Sequence, residues 1–357
     1  MEGRAAAEQI QNGRVLKGTR HLYNLRLDKM VEYFRANIPE ALDEDGKIRV
    51  PIQTEHCLEF FGSIYQIPNQ RDGIEGEEQG EHEEQAIRAV STLGGYRSAV
   101  VFLYKEHSMK IQTTLDVGLS NFMQGYKRKV GELKQGGYMN ITEGRQPLAF
   151  SGYRLLASKF LKMQANSQAM FSWAHFLLCW NLMARSDSVG KIMHQHMSWR
   201  EDALVITFAI HKGDREGQNA YGRHVYANPE NQSICPVLAI AVMVFSRGHR
   251  SQGGRQQLFE GKHSEKRFSH ILASVVDDLP DAEAGILGAR KQDIGTHSTR
   301  KGAPTHCLGI TEGPSPIQVY LRAGWSLGNV QDRYLFSGND KTLLHSAYYN
   351  RSVSLTR

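Results

Sequence analysis

Cysteine is scarce in this chain, and the four cysteines it has are scattered. Cys57, Cys179, Cys235 and Cys307 lie far apart, and no C-x-x-C pair occurs. A disulfide framework or a structural zinc site needs cysteines in close, repeated spacings. The pattern therefore argues against both and fits a reducing compartment, and we expect no bound metal.

Long apolar runs are missing as well. No stretch reaches the ~18 consecutive apolar residues that a membrane helix needs. The N-terminal run MEGRAAAEQIQNGR lacks the apolar core of a secretory signal. We therefore expect a chain that is not secreted and has no membrane partner.

Positive charge is distributed unevenly along the chain. The formal net charge is +6, with 40% hydrophobic and 22% charged residues, which is typical of a globular protein. Residues 1–150 carry 19 Lys and Arg against 21 Asp and Glu, whereas 151–357 carry 24 against 16. Six of the acidic residues of the first part lie in EGEEQGEHEE, at 75–84. The balance favours an anionic partner, provided that the acidic run is a loop held away from it.

The length of 357 residues allows two domains. Residues 1–18 are expected to form a flexible polar leader, and 19–140 a helical domain. Its predicted helices begin near 19 and stop near Pro39, then cover 55–65, 86–109 and 115–133. The segment 86–109 is expected to be two helices broken near Gly94 and Gly95.

Residues 141–357 are predicted to form a second domain that is mainly helical with a small β-hairpin. The hairpin is indicated by alternating residues on both sides of a Gly-rich turn, in DALVITFAIHKGDREGQNAYGRHVYANP. Apolar-periodic helices are predicted at SGYRLLASKFLKM, SQAMFSWAHFLLCWNLMA, CPVLAIAVMVFSRG and FSHILASVVDDL.

The run GTHSTRKGAP is the sharpest local signal. It places His297 and Arg300 three residues apart, so that on a helix they share a face and can address one substrate atom. Thr296 and Ser298 indicate a helix start, where backbone N–H groups favour an anion. A histidine satisfied within a core is the competing interpretation, and Pro304 should kink or shorten the helix.

Two further cations precede this run. Arg185 follows the buried helix LLCWNLMA, and a guanidinium is suited to clamping a phosphate because it stays charged and donates to two oxygens. An ion pair with Asp187 is the alternative. Lys212 lies at the hairpin turn, from which a lysine can deliver a proton to a leaving oxygen; Lys191 and Arg215 are rival choices, and a solvated turn lysine is the ordinary interpretation.

Two aromatic residues follow in AGWSLGNVQDRYL. Tyr334 is a candidate nucleophile if neighbouring cations and a base assist its phenol, whose ordinary pKa is about 10. Tyr320, Tyr348 and Tyr349 compete with it. Trp325 can direct an indole N–H at a phosphate oxygen, although simple core packing would explain it too.

The order Arg, Lys, His-x-x-Arg, Trp, Tyr resembles the catalytic set of the tyrosine recombinases, which include the phage integrases. The runs GTHSTRKGAPTHC and LRAGWSLGNVQDRYL are most similar to Crypton-type recombinases of eukaryotic mobile elements. The resemblance covers about 150–350; over 19–135 it is only architectural, a helical bundle like the family's SAM-like core-binding domain.

The resemblance implies a site-specific recombinase or integrase that clamps duplex DNA and forms a 3′-phosphotyrosyl link at Tyr334 without metal, nucleotide or other cofactor. Arg185 and Arg300 would bind the scissile phosphate and Trp325 would donate to it. Lys212 would protonate the leaving 5′-oxygen, and His297 would handle the tyrosine proton. The family also implies a homotetramer on two DNA sites, and a nuclear location if the origin is a eukaryotic mobile element, with a cytoplasmic or nucleoid location otherwise.

The chain departs from the family at Ser188, where many members have a carboxylate three residues after the first arginine. Asp187 is one residue earlier, about 100° away around a helix. Three alternatives stay open: a type IB topoisomerase-like nicking-closing enzyme, a catalytically inactive DNA-binding derivative, and a helical scaffold with chance motifs. The scaffold interpretation predicts that the motif residues are scattered in space.

Overall fold

The computed structural model describes residues 2–65, 88–163, 167–210, 216–217, 222–246, 256–311 and 313–325. The chain divides into two compact units, Met1–Glu143 and Gly144–Arg357. Each unit has its own apolar core of buried side chains. The fold is mainly helical with one small antiparallel sheet, as the sequence predicts.

The first unit consists of helices. They are α1 (Glu2–Asn12), α2 (Lys17–Asn37), α3 (Thr54–Ile64), α4 (Val90–Glu106) and α5 (Thr113–Gln135). Helices α2, α3 and α5 match their predicted positions. Their core joins Met30 and Phe34 of α2, Phe61 of α3, and Val100 and Leu119 of α4 and α5, all fully buried.

Two expectations for this unit are corrected. The first concerns 1–18, where α1 replaces an irregular leader. The run Ala5–Ala7 has the highest helix propensity, and Arg4 and Glu8 form an i,i+4 pair at 3.5 Å. Good helix formers and a local ion pair therefore shape a segment that has too few apolar residues to show a helical pattern.

The second correction concerns α4, which runs unbroken through Gly94 and Gly95. A Cβ at Gly95 would lie 2.6 Å from the guanidinium of Arg26 on α2. The glycine therefore serves a close approach between two helices rather than a break. Burial of Leu93 and Tyr96 on the same helix outweighs the cost of about 1 kcal/mol for glycine in a helix.

The second unit contains the remaining helices and the sheet. The helices are α6 (Phe150–Lys162), α7 (Ser167–Asn181), α8 (Ser186–Gly190), α9 (Pro236–Phe245), α10 (Ser264–Asp277), α11 (Asp281–Ala284), α12 (Thr296–Gly309) and α13 (Pro316–Ala323). Among the described residues, no helix is long and apolar enough to cross a membrane.

Helix α7 is the centre of this unit. It is apolar around its whole circumference, which is typical of a helix enclosed by other elements. Trp180, fully buried, stacks on Tyr153 of α6 with ring centroids 4.2 Å apart. Helices α6, α9 and α12 pack around α7, so its C-terminal end lies where several elements meet.

The sheet has three antiparallel strands in the order β1 (Met197–Arg200), β2 (Ala203–Thr207) and β3 (Gly222–Tyr226). Strands β2 and β3 form the predicted hairpin, with Val205 opposite His224. Strand β1 is not predicted from the sequence. Its residues are exposed or half-buried and show no alternation, so pairing with β2 alone makes it a strand.

Candidate active site

The C-terminal end of α7 closes in a turn that is left-handed at Met183. The Ala184 N–H donates to the Cys179 carbonyl at 3.1 Å, and the Met183 N–H donates to the Trp180 carbonyl at 3.0 Å. These are the two bonds of a Schellman motif, in which glycine usually takes the position of Met183, whose φ is 48°. The last carbonyls of the helix, at 181–183, have no intrahelical donor and need other partners.

Three arginine side chains supply these partners, one for each carbonyl. The bonds are Arg322 Nη2 to Asn181 O at 2.7 Å, Arg322 Nε to the same oxygen at 3.0 Å, Arg223 Nη1 to Leu182 O at 3.0 Å, and Arg300 Nη1 to Met183 O. The arginines come from α13, β3 and α12 respectively. A cation is favoured there because the helix dipole is negative at its C-terminus.

Arg300 links this turn to the end of a second helix. Its Nη2 donates to Ala323 O, the last residue of α13, at 2.6 Å. The side chain is only 7% exposed, so both bonds form in a largely dry environment. The charge of Arg300 is therefore stabilised by the C-terminal dipoles of α7 and α13.

Trp325 is placed by the end of α13. Gly324 has φ 64°, and the Trp325 N–H donates to the Tyr320 carbonyl at 2.9 Å, as in a second Schellman motif. The two aromatic rings pack edge-on at 5.4 Å. The indole ring centroid lies 6.0 Å from the guanidinium carbon of Arg300. With 36% of its surface exposed, Trp325 is not a core residue.

Arg185 lies one residue before α8, two residues after Met183, in extended backbone. Burial, and then the nearby charge of Arg185, lower the pKa of Arg300 to about 10. Among the described residues, neither arginine forms an ion pair with a carboxylate. A second positive charge close to a buried guanidinium is an arrangement suited to an anion.

Asp187, the alternative ion-pair partner of Arg185, pairs with another residue. Asp187 receives the Lys191 ammonium, with Nζ 2.7 Å from its Oδ1. That pair lies on the exposed side of α8. Asp187, the alternative partner of Arg185, and Lys191, one rival of Lys212, are therefore paired with each other.

His297 lies in the first turn of α12 and is exposed. The helix begins at Thr296, and the Ser298 hydroxyl accepts a bond from the Gly295 N–H at 3.1 Å. Ser298 thus stabilises the helix start as expected, whereas Thr296 is not the cap. Because Arg300 follows one turn later, the helix presents an exposed imidazole beside the buried guanidinium.

Pro304 does not shorten α12, contrary to expectation. It removes the N–H that would bond the Arg300 carbonyl, yet the helix continues to Gly309. The flanking Ala303 and Cys307 are buried against the core. This burial offsets the cost of one missing hydrogen bond.

Two residues of the predicted set, Lys212 and Tyr334, lie outside the described residues, as do the alternatives Arg215, Tyr348 and Tyr349. Of the predicted residues that are described, the structure brings Arg185, Arg300 and Trp325 together. Such grouping is not what chance motifs on a scaffold predict. Among the described residues, no group of three His, Cys, Asp or Glu side chains could hold a metal ion.

Sequence reasoning did not identify Arg223 and Arg322, which are each only 3% exposed. Arg322 lies between the buried Leu321 and Ala323, and Arg223 lies between Gly222 and His224 in a buried stretch of β3. A cation between two apolar residues needs a partner, so the sequence carries a signal for Arg322, whereas it carries none for Arg223. The partner, a helix-end carbonyl far along the chain, is not visible in the sequence.

Comparison with known proteins gives little. No family model matches the chain, and no curated protein matches it. One solved structure with a similar chain is the Tn1549 transposon integrase, residues 82–397, in complex with circular intermediate DNA. The identity is 12%, the TM-score 0.47, and the alignment covers 98% of this chain and 97% of that one. A likeness this weak shows neither the fold nor the function of this protein.

Proposed function

We propose that this protein cuts and rejoins DNA strands as a tyrosine recombinase or integrase. The observation that carries the proposal is the pair Arg185 and Arg300, which form no ion pair with a carboxylate among the described residues, with Trp325 beside Arg300. Transfer of a phosphoryl group depends on positioned charge at the phosphate oxygens. Arg300 is held by the ends of two helices, and Arg185 adds a second cation close to it.

In this proposal the phenol oxygen of Tyr334 attacks the scissile phosphorus, and the bond from phosphorus to the 5′-oxygen breaks. His297 accepts the phenol proton, and Lys212 protonates the leaving 5′-oxygen. Arg185, Arg300 and Trp325 donate to the phosphate oxygens. The 3′-phosphotyrosyl link conserves the bond energy, so a 5′-hydroxyl of another strand can reverse the step without metal or nucleotide.

Ser188 is assigned no part in this step. In the structure it lies half-buried in α8, next to the surface pair of Asp187 with Lys191. The support that a carboxylate gives the first arginine in many family members is supplied here by the backbone turn at 181–184. We also propose that the chain is of the Crypton type, that it acts as a homotetramer on two DNA sites, and that its location is nuclear.

A suicide-substrate assay tests the reaction. Because the target sequence is unknown, the probe is a pool of nicked duplexes with random sequence around the nick. Wild type should yield a covalent adduct at a DNA 3′-phosphate, and Tyr334→Phe should yield none because the nucleophile is missing. The matched control Tyr320→Phe removes a phenol hydroxyl near Trp325 and should retain the adduct.

The outcomes separate the alternatives. An adduct that persists in Tyr334→Phe would show that Tyr334 is not the nucleophile. No adduct with wild type, together with retained DNA binding, would favour an inactive DNA-binding derivative. Rapid relaxation of supercoiled DNA without strand exchange between two duplexes would favour the topoisomerase-like activity.

A further inference from the structure

Arg322 and Arg223, like Arg300, direct hydrogen-bond donors at backbone carbonyls. Arg322 directs Nε and Nη2 at Asn181 O, and the same Nη2 donates to His224 O at 2.7 Å. Arg223 donates to Leu182 O, and its guanidinium carbon lies 4.8 Å from the ring centroid of Phe208. Both side chains are only 3% exposed, and we assign them to support of the turn rather than to the phosphate.

We propose that Arg322 and Arg223 are positioning residues that hold Arg185 in place for the reaction. This inference rests on the proposed function, because the role of Arg185 in cleavage is what the positioning serves. Arg185 follows the turn at 181–184 directly. Its side chain has no ion pair with a described residue, so the backbone of that turn determines where it starts.

The turn needs support from outside the helix. Met183 is a non-glycine residue in the left-handed region, which costs roughly 1–2 kcal/mol. Such a conformation persists only where the surroundings over-determine it. Arg322 of α13 bonds Asn181 O, and Arg223 of β3 bonds Leu182 O. These bonds, just before Met183, hold the turn in its left-handed conformation.

The same bonds tie separate parts of the site to one point. Arg322 joins α13, which carries Trp325 at its end, to the C-terminus of α7 and to β3. Arg300 joins α12, which carries His297, to the same turn. A displacement of the turn would therefore move Arg185 relative to the other donors, and a misplacement of about 1 Å can reduce a reaction rate about 10²-fold.

Arg322→Lys tests the proposal, because lysine keeps the charge but cannot reproduce the fork of bonds to two carbonyls. Cleavage of the suicide substrate is measured in single turnover at saturating DNA, and DNA affinity is measured separately. We expect a rate about 10–100-fold lower with DNA affinity retained. In an Arg185→Lys background the further loss should largely vanish, since both changes disturb the same contact.

Arg267→Lys is the matched control. Arg267 also donates to a backbone carbonyl, Glu260 O, and its guanidinium carbon lies 4.6 Å from the Phe171 ring centroid. It does not bind the end of α7, so its replacement should leave the rate unchanged. Arg223→Lys, which alters the bond to Leu182 O, repeats the test if Arg322→Lys fails to fold.

Two results would overturn the inference while leaving the proposed function intact. One is a wild-type cleavage rate in both Arg322→Lys and Arg223→Lys. The other is a rate loss that persists undiminished in the Arg185→Lys background. Crystal structures of wild type and Arg322→Lys decide the point even if no adduct ever forms: displaced residues 183–185 support positioning, and unmoved ones contradict it.

Discussion

Arg300 keeps a charge inside the protein, where no carboxylate of the described residues pairs with it. Its guanidinium donates to the last carbonyls of two helices, and partial negative charge at helix ends compensates it. Burial and the nearby Arg185 still lower its pKa to about 10. At neutral pH the side chain is therefore charged at some cost to stability.

Arg185→Ala should separate stability from activity. The folded-state pKa of Arg300, about 10, lies below its ordinary value, so charging Arg300 is less favourable in the folded protein at every pH below about 10. Removing Arg185 removes one cause of this cost. We expect the free energy of unfolding at neutral pH to stay the same or rise by up to about 1 kcal/mol, while adduct formation falls about 10²-fold or more.

Urea unfolding followed by tryptophan fluorescence measures the stability change, because Trp173, Trp180, Trp199 and Trp325 all lie in the second unit. Lys191→Ala is the control, since it removes a cation from the same segment but one already paired with Asp187. Strong destabilisation by Arg185→Ala, or full activity in that variant, would contradict the electrostatic account.

Among the elements, α12 depends on one very close contact. A Cβ at Gly302 would lie 2.1 Å from the backbone oxygen of Leu148 and 2.9 Å from the Trp180 ring. The helix that carries His297 and Arg300 therefore packs against α7 with no room for a side chain. Any larger residue must push α12 away from the turn that Arg300 binds.

Gly302→Ala should lower the free energy of unfolding of the second unit by about 1–3 kcal/mol through overpacking and should reduce cleavage as well. Urea unfolding by tryptophan fluorescence and the suicide-substrate assay measure the two effects. Gly309→Ala is matched on the same helix, where a Cβ meets nothing within 4 Å. It should leave both unchanged, and equal effects of the two variants would exclude close packing as the cause.

Other elements differ in how far local sequence decides them. Helices α2, α3, α5 and α7 follow from apolar periodicity, since each buries one face or its whole surface. The break expected at Gly94 and Gly95 does not occur, and at Gly95 a close contact with Arg26 accounts for the glycine. Strand β1 could not be predicted from the sequence, because only its pairing with β2 specifies it.

The whole chain is charged unevenly, which bears on how it would meet a polyanion. Residues 151–357 carry 24 Lys and Arg against 16 Asp and Glu. Binding of DNA by a basic surface releases counterions, so affinity falls with salt. If about six or more phosphates are contacted, DNA affinity should fall about 10³-fold or more between roughly 50 and 200 mM salt.

A titration by fluorescence anisotropy at several salt concentrations measures this dependence. A parallel series with sucrose controls for osmotic effects, which do not release ions. An affinity that is independent of salt would argue against phosphate contacts as the main source of binding, and thereby against the proposed DNA partner.

Sequence periodicity was enough to predict the helical class and the hairpin, because these depend on local patterns. The burial of Arg300 between two helix ends, its proximity to Arg185, and the carbonyl bonds of Arg223 and Arg322 were decided by the tertiary structure. They join residues as far apart as Asn181 and Arg322, and only the folded chain brings such groups within hydrogen-bonding distance.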